Sequence, residues 1–378
     1  MTEKKRILIA SGGTGGHFYP AFALAVDLRS RGWQALFLVK KDDIARPALE
    51  EADFPYAELD MVSLPRSLNP FAHAAFMLKF FRSTALALRI VKDFRPDAVL
   101  GTGSYISFPA ILAARLGGVP SVIHESNAIF GLSNRLAARF ARKVALGLPM
   151  KENPFAYKSS LTGTPIRGFF AHAPGRKESR ERLGLEPGAV TFLVFGGSQG
   201  AGRLNSAVAA AAADLREKGL KFQLLHLTGR RGFETVRAAY EKAGLYGSPG
   251  IKLMDYCERM DELYPACDLV ISRAGASTVS ELAYLSKPSI LVPLPSAAAG
   301  HQKDNALTLA GPGGALLLEE SPEFESSLAA AMEKFISEPA KLLEMNRNLS
   351  RTLVPDAVKA SSNLLVLIEG MLAAGAKN

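Results

Sequence analysis

The chain has 378 residues, of which 48% are hydrophobic and 21% carry charge, and its formal net charge is +9. This length and composition allow two separate hydrophobic cores and exclude a disordered chain, and the positive charge points to an anionic partner or substrate. Two cysteines, Cys257 and Cys267, fit no metal-binding spacing, and neither a secretory signal nor a membrane-spanning stretch is apparent, so we expect a reducing compartment and no membrane span.

Short apolar runs alternate with helical patterns along the whole chain. In the first half, the runs typical of β-strands are 6–10, 34–39, 97–101, 120–123 and 142–146. In the second half, they are 190–195, 222–227, 250–254, 268–272, 289–293 and 314–318. This alternation predicts an α/β protein with two doubly wound parallel sheets, each covered by helices on both faces.

Glycine and proline accumulate over residues 160–176, between the two series of strands. We therefore expect a first domain over 1–163 and a second over 164–355, separated by a cleft. The last helical stretch, about 356–378, is expected to pack back on the first domain.

A glycine-rich segment occurs twice, near the start of each predicted domain. Residues 6–17 read RILIASGGTGGH and residues 191–202 read TFLVFGGSQGAG. A strand followed by glycines and a helix start can cradle a phosphate with its backbone N–H groups and helix dipole. Neither segment is a dinucleotide fingerprint, because Phe18 and Asn205 replace the third glycine, and no P-loop motif is present. The pattern thus predicts two phosphate-binding loops outside these two classes.

Further motifs follow in order to about residue 320. They are GTGSYISFPA at 101–110, HESN at 124–127, GTPIR at 163–167, SRAGASTVSELA at 272–283 and HQKDNA at 301–306. With the two glycine segments, they resemble the MurG family of inverting glycosyltransferases, which add N-acetylglucosamine (GlcNAc) to lipid I to form lipid II in peptidoglycan synthesis. The resemblance implies a GT-B fold of two Rossmann-like domains, with the acceptor in the first and the donor in the second, and no metal or other cofactor.

Two residues are candidates for the catalytic base. His17 directly follows the first glycine loop, and a neutral imidazole can take a proton from an attacking hydroxyl. The resemblance implies this role for His17 on the 4-hydroxyl of N-acetylmuramic acid (MurNAc), while its spacing alone fits helix capping or packing equally well. Glu125 is the rival base or a group that orients a sugar, and an N-cap-like or buried paired carboxylate is its plain alternative. His124 is expected to be structural.

The diphosphate of the acceptor is expected at two glycine turns of the first domain. The candidate acceptor-binding residues are Thr14, Gly15, Gly16, Gly103, Ser104, Tyr105, Asn127 and Asn134. The two asparagines would also fit ordinary turn and capping roles.

The leaving diphosphate of UDP-GlcNAc is expected at the second glycine loop. Ser198, Gly197 and Gly200 would cradle it through backbone N–H groups and a hydroxyl. Arg167 would supply a permanent positive charge for the departing UDP in place of a metal.

The resemblance also assigns contacts to the rest of the donor. Glu281, on a helix entered through Ser277 or Thr278, would accept hydrogen bonds from the ribose hydroxyls, with a first-turn carboxylate favoured by the helix dipole as the plain alternative. Gln302 and His301 correspond to the pair that contacts the sugar, although the family often has two glutamines there.

Residues 70–92 combine phenylalanines with basic residues. Phe76 and Phe80, with Lys79 and Arg82, form a candidate membrane-binding surface, although core packing would also account for the phenylalanines. The resemblance implies a peripheral enzyme on the cytoplasmic face of the bacterial cytoplasmic membrane. Its partners would be UDP-GlcNAc, lipid I, an anionic membrane surface and cell-wall synthesis proteins, but no nucleic acid.

Three other functions share much of this pattern. A related lipid glycosyltransferase with a diacylglycerol acceptor would have a similar donor half, and a UDP-GlcNAc 2-epimerase shares the architecture. A non-enzymatic nucleotide-sugar-binding or scaffold protein would keep the loops without turnover. The motifs of the first half favour the lipid I transferase.

Overall fold

The computed structural model describes residues 4–62, 65, 69–166, 170, 172–197, 200–297 and 300–375. The chain forms two compact units, one of residues 1–167 with 354–378 and the other of residues 168–353. Strands and helices are numbered below in chain order.

The first unit is built on a parallel sheet. Its strands are β1 (Arg6–Ala10), β2 (Gln34–Lys40), β3 (Tyr56–Leu59), β4 (Ala98–Gly101), β5 (Ser121–Glu125), β6 (Lys143–Leu146) and β7 (Ser159–Leu161). Its helices are α1 (Gly15–Ser30), α2 (Arg46–Glu51), α3 (Pro70–Phe94), α4 (Ser104–Leu116), α5 (Leu132–Ala138) and the C-terminal α14 (Ala360–Gly375). Among the described residues the strand order is β3-β2-β1-β4-β5-β6-β7.

This strand order places β1 beside β4 in the middle of the sheet, with Ala10 paired to Gly101. From β1 the chain builds the sheet in one direction through β2 and β3, and from β4 it builds in the other direction. The boundary between β1 and β4 is therefore a topological switch point, where parallel α/β sheets bind ligands. The segments that follow β1 and β4 are the two glycine turns singled out in the sequence. The topology therefore brings both turns to one edge of the sheet.

Helix α14 returns to the first unit. Leu364, Leu365, Ile368 and Met371 are buried in the same core cluster as Ile7 of β1 and Leu24 of α1. The side-chain amide of Asn363 donates to the Thr162 carbonyl at 3.1 Å. The last helix thus covers one face of the first sheet and shares its core.

The second unit repeats the design. Its strands are β8 (Val190–Phe195), β9 (Phe222–Leu227), β10 (Ile251–Met254), β11 (Leu269–Ser272), β12 (Ser289–Leu291) and β13 (Ala315–Leu317). Its helices are α6 (Arg176–Arg182), α7 (Gly202–Glu217), α8 (Phe233–Lys242), α9 (Met260–Ala266), α10 (Ala276–Tyr284), α11 (His301–Ala310), α12 (Phe324–Ser337) and α13 (Ala340–Leu349). Within the described ranges, its parallel order is β10-β9-β8-β11-β12-β13.

The prediction of two parallel sheets in an α/β fold is confirmed, and each predicted strand is present within two residues at either end. Strands β3 and β7 were not predicted. Their sequences, YAEL and SSL, lie at the sheet edges with mostly half-buried or exposed side chains, so they lack the apolar run that marks a buried strand. A helix both long and apolar enough to cross a membrane is absent from the described part of the chain.

Candidate active site

The first glycine loop joins β1 to α1. Thr14 is the N-cap, with extended backbone angles, and the helix begins at Gly15. The first N–H groups of a helix have no partner within it, and they carry the positive end of its dipole. The loop therefore presents donors for an anion at Thr14, Gly15 and Gly16, the residues predicted for this role.

Asp43 braces this loop and was not among the predicted site residues. Its Oδ2 accepts a hydrogen bond from the Gly13 N–H at 2.8 Å, and its Oδ1 accepts one from the Ala45 N–H at 3.0 Å. The side chain is buried, and a Cβ built on Gly12 would lie 2.5 Å from its Oδ2. One loop N–H is thus already engaged by a carboxylate. The sequence carries no signal for this contact beyond an aspartate shortly after a strand.

The two glycine turns of the first unit lie against each other. A Cβ built on Gly103 would be 2.6 Å from Cδ2 and 2.9 Å from Nε2 of His17, and a Cβ on Gly13 would be 2.9 Å from the Ser104 hydroxyl. Gly103 has φ +118°, which also favours glycine. The Nε2 edge of the His17 ring therefore packs directly over the second glycine turn.

His17 is held on its other side as well. Its Nδ1 lies 3.3 Å from the Thr14 hydroxyl, and its carbonyl accepts hydrogen bonds of 3.0 Å from the hydroxyls of Ser11 and Thr102. These contacts fix the backbone at residue 17 and orient the ring. The side chain of His17 is half-buried.

The second turn leads into α4. Ser104 has φ +66°, a left-handed conformation rare for serine, and its carbonyl accepts a hydrogen bond from the Ser133 hydroxyl at 2.7 Å. Tyr105 follows in the first turn of α4 and is 40% exposed. The turn that carries these predicted acceptor contacts is thereby tied to α5.

Glu125 ends β5 and is buried, with both carboxylate oxygens engaged. Oε1 accepts from the backbone N–H and side-chain amide of Asn127, at 3.0 and 2.9 Å. Oε2 accepts from the Gly131 N–H at 3.0 Å and the Asn134 amide at 2.9 Å. A carboxylate whose two oxygens accept four hydrogen bonds supports the adjoining loop. The geometry favours the paired-carboxylate alternative over a role as base.

Asn134 and His124, which neighbour Glu125, also form hydrogen bonds within the first unit. Asn134 is buried, and its amide donates to the His124 carbonyl at 3.2 Å as well as to Glu125. His124 is fully buried, and its Nε2 lies 2.9 Å from the Gly163 carbonyl. Burial lowers the pKa of His124, so the ring is neutral and donates through Nε2.

The second glycine loop follows β8. Gly200 donates its N–H to the Gly197 carbonyl at 2.9 Å, and a Cβ on Gly200 would collide with the Thr228 carbonyl. This close approach requires glycine at position 200. Arg167 and Ser198 lie outside the residues that the structure describes.

Glu281 is the sixth of the nine residues of α10. That helix starts at Ala276 after the N-cap Gly275, so the expected entry through Ser277 or Thr278 is wrong, and Glu281 is not a first-turn carboxylate. Its Oε2 accepts a hydrogen bond of 2.8 Å from the hydroxyl of Tyr264. Tyr264 is a further residue that sequence reasoning missed, because it belongs to α9 and no motif connects the two.

His301 and Gln302 are the first two residues of α11. The Gln302 Oε1 accepts a hydrogen bond from the Leu294 N–H at 2.9 Å, so the group that this side chain can offer a sugar is its NH2. Asn305 is buried and donates to the Ala274 carbonyl at 3.1 Å, which is a structural contact.

A buried ion pair supports the segment before α11. Arg273 Nη2 and Glu320 Oε1 are 2.7 Å apart, and their side chains are only 12% and 8% exposed. Nη1 of Arg273 also donates to the carbonyls of Val292 and Pro293, each at 3.3 Å. This arginine was not predicted, and it stabilises the turn on which Gln302 rests.

The predicted membrane surface requires a correction on α3. Phe80 is buried, with its ring 4.9 Å from that of Phe108, and Phe76 is half-buried and stacks on Phe80. These two positions share the helix face that packs against α4. Lys79 forms an ion pair of 2.8 Å with Asp60, while Arg82 is exposed.

The opposite face of α3 is apolar and exposed. Phe71, Leu78 and Phe81 are 83%, 51% and 61% exposed, and Met77 is 43% exposed. Exposed aromatic and aliphatic side chains on one helix face indicate an interaction surface. The apolar side chains exposed on this helix are therefore Phe71, Met77, Leu78 and Phe81, and membrane binding by the helix stays a prediction.

The sequence matches two family descriptions, the glycosyltransferase family 28 N-terminal domain over residues 7–146 and C-terminal domain over residues 191–360. A UDP-N-acetylglucosamine–N-acetylmuramyl-(pentapeptide) pyrophosphoryl-undecaprenol N-acetylglucosamine transferase of Elusimicrobium minutum is 38% identical over 371 residues, covering 97% of this chain and all of the relative. The enzyme of the same name from Halothermothrix orenii is 35% identical over 95% of this chain and 98% of the relative.

The chain belongs to the MurG family. A crystal structure of MurG from Acinetobacter baumannii superposes with a TM-score of 0.79 at 28% sequence identity, over 97% of this chain and all of the other. The suggested resemblance to MurG and the GT-B fold are therefore confirmed. The N-terminal match contains the His17 and Gly103 turns, and the C-terminal match contains the second glycine loop and Glu281. In the described part of this MurG-family chain, no group of three or more His, Cys, Asp and Glu side chains could hold a metal ion.

Proposed function

We propose that this chain transfers GlcNAc from UDP-GlcNAc to the 4-hydroxyl of MurNAc in lipid I, with inversion at the anomeric carbon, and so forms lipid II. Membership of the MurG family over the full chain supports this activity. The observation that carries it at the site is the His17 ring, packed over Gly103 between the two glycine turns of the first unit.

The first unit would supply the base and hold the acceptor. Nε2 of His17, at the ring edge over Gly103, would take the proton from the attacking hydroxyl. Donors at Thr14, Gly15 and Gly16 and the turn of Gly103, Ser104 and Tyr105 would bind the acceptor diphosphate. Glu125, with Asn127 and Asn134, would shape the adjoining loop.

The second unit would bind the donor and receive the leaving group. As the hydroxyl oxygen bonds to C1 of GlcNAc, the bond from C1 to the diphosphate oxygen breaks and its electrons remain on UDP. The loop of Gly197, Ser198 and Gly200, the start of α7 and Arg167 would stabilise that charge. Glu281 would bind the ribose hydroxyls, and Gln302 and His301 would contact GlcNAc.

The exposed face of α3 supports a peripheral membrane site. Phe71, Leu78 and Phe81 would enter the headgroup region of the cytoplasmic leaflet, and Arg82 would contact anionic lipids. Such a surface would hold the enzyme where its lipid-linked acceptor resides.

The test is to incubate the protein with radiolabelled UDP-GlcNAc and lipid I. We expect label to enter the lipid phase with release of one UDP for each sugar transferred, and His17→Gln to remove most of the transfer. Free epimerised sugar would indicate the epimerase, labelled diacylglycerol the other lipid transferase, and binding without transfer a non-enzymatic protein. Any of these three results contradicts the proposal.

A further inference from the structure

The carboxylate of Glu281 is oriented by a buried phenol. The Tyr264 hydroxyl donates to Glu281 Oε2 at 2.8 Å, and the Tyr264 side chain is fully buried. A buried phenol needs an acceptor, and a hydrogen bond to an ionised carboxylate is shorter and stronger than one between neutral groups. The contact therefore restrains the rotamer of a carboxylate on a half-buried helix face.

The ring of Tyr264 also reaches the start of the second glycine loop. It packs edge-on against Phe195, with ring centroids 6.0 Å apart and planes at 89°, and against Phe170 at 5.7 Å. Phe195 is the last residue of β8, directly before Gly196. One side chain thus contacts both the residue that begins the loop and the carboxylate of α10.

We propose that Tyr264 is a positioning residue for the donor, which presets the Glu281 carboxylate for the ribose hydroxyls of a uridine diphosphate. This inference rests on the proposed donor role of Glu281. A carboxylate held before the ligand arrives loses less conformational entropy on binding, so the phenol should improve recognition of the ribose without touching the reacting atoms.

The test compares UDP with 2′-deoxy-UDP by calorimetry on the full chain. In the wild type, we expect UDP to bind about tenfold more tightly, since a lost hydrogen bond to a charged group has a cost of this order. Tyr264→Phe keeps the ring and removes only the donor, and it should reduce the preference to about twofold, because the hydrogen-bonded rotamer is no longer favoured. Glu281→Gln should lose most of the preference, and the double variant should lose little more.

Tyr240→Phe is the matched control. Tyr240 is another fully buried tyrosine of the second unit, and its hydroxyl is 2.7 Å from Nδ1 of His226. This variant should lower the melting temperature while the preference for UDP stays at the wild-type value. In steady state, Tyr264→Phe should raise the donor KM and leave kcat and the acceptor KM unchanged.

The outcomes separate the two proposals. If Glu281→Gln loses the preference and Tyr264→Phe keeps it, Tyr264 is only a packing residue and the inference fails. If the wild type has no preference, the donor role of Glu281 fails, and this inference fails with it. A 4-fluorophenylalanine side chain at position 264, close in size to tyrosine but unable to donate, repeats the test if the phenylalanine variant does not fold.

Discussion

The imidazole of His17 lies directly on Gly103, so close that a single added carbon at Gly103 would be 2.6 Å from the ring. The contact joins the start of α1 to the turn after β4. It depends on the central pairing of β1 with β4. The position of the proposed base, His17, is therefore sensitive to substitution of Gly103, although Gly103 has no side chain that could react.

We predict that Gly103→Ala lowers kcat about 100-fold, because displacing a reacting group by about 1 Å has an effect of this size. Donor binding should be unchanged. Gly118→Ala is the control, since Gly118 also has a positive φ but no atom lies near its Cβ position. The measurement is kcat with lipid I for both variants. An equal loss of kcat in both would mean that backbone strain, and not the contact with His17, is responsible.

Asp43→Asn should weaken binding of the acceptor, lipid I. Both carboxylate oxygens accept backbone N–H groups, and an amide can satisfy only one of them, so the first glycine loop loses a brace. We expect the KM for lipid I to rise about tenfold, with the donor KM unchanged. Asp42→Asn, at the neighbouring exposed position, should leave both constants unchanged. A rise in the donor KM alone would contradict the assignment.

The pH–rate profile separates His17 from Glu125. Protonation of the base produces the acid limb of that profile, so His17→Gln should remove the limb together with most of the activity. Glu125→Gln places an NH2 group against N–H donors and should lower stability by about 1–3 kcal/mol, while the residual activity keeps its acid limb. If Glu125→Gln removed the acid limb instead, Glu125 would be the base.

The two faces of α3 should respond differently to substitution. Phe71→Ser with Phe81→Ser should reduce sedimentation with anionic vesicles and leave the melting temperature near its wild-type value, because both rings are exposed. Phe80→Ser should lower stability by about 3–5 kcal/mol, since it empties a buried aromatic contact. If the variant with both Phe71→Ser and Phe81→Ser still bound vesicles, the membrane-binding surface would not be this face of α3.

Acid stability should depend on His226. Burial lowers the pKa of this histidine from 6.5 to about 3 in the folded chain. Between these values the unfolded state binds the proton and the folded state does not, so stability falls as the pH decreases from 6.5 towards 3. We predict a smaller loss of melting temperature between pH 7 and pH 4 in His226→Gln than in the wild type, in scans at constant ionic strength. An identical loss in both proteins would contradict it.

The predicted contacts differ in how far the structure supports them. The turns that carry Thr14, Gly15 and Gly16 and Gly103 and Ser104 lie at one edge of the sheet, because β1 pairs with β4, and their binding of the acceptor stays a prediction. Glu125 and Asn134 turn out to bind one another. A motif shows that two polar residues are near each other, but it does not show whether they face a substrate or each other.

The sequence by itself determined the two parallel sheets and the family, because strand and helix periodicities and glycine turns are patterns among residues that are close together in the sequence. Only the tertiary structure decided that Phe80 is buried while Phe81 is exposed, because Phe80 packs against Phe108 of α4. The same holds for Asp43 under Gly13 and for Tyr264 on Glu281. Each is a contact between residues distant in sequence, and its direction is set by how neighbouring elements pack.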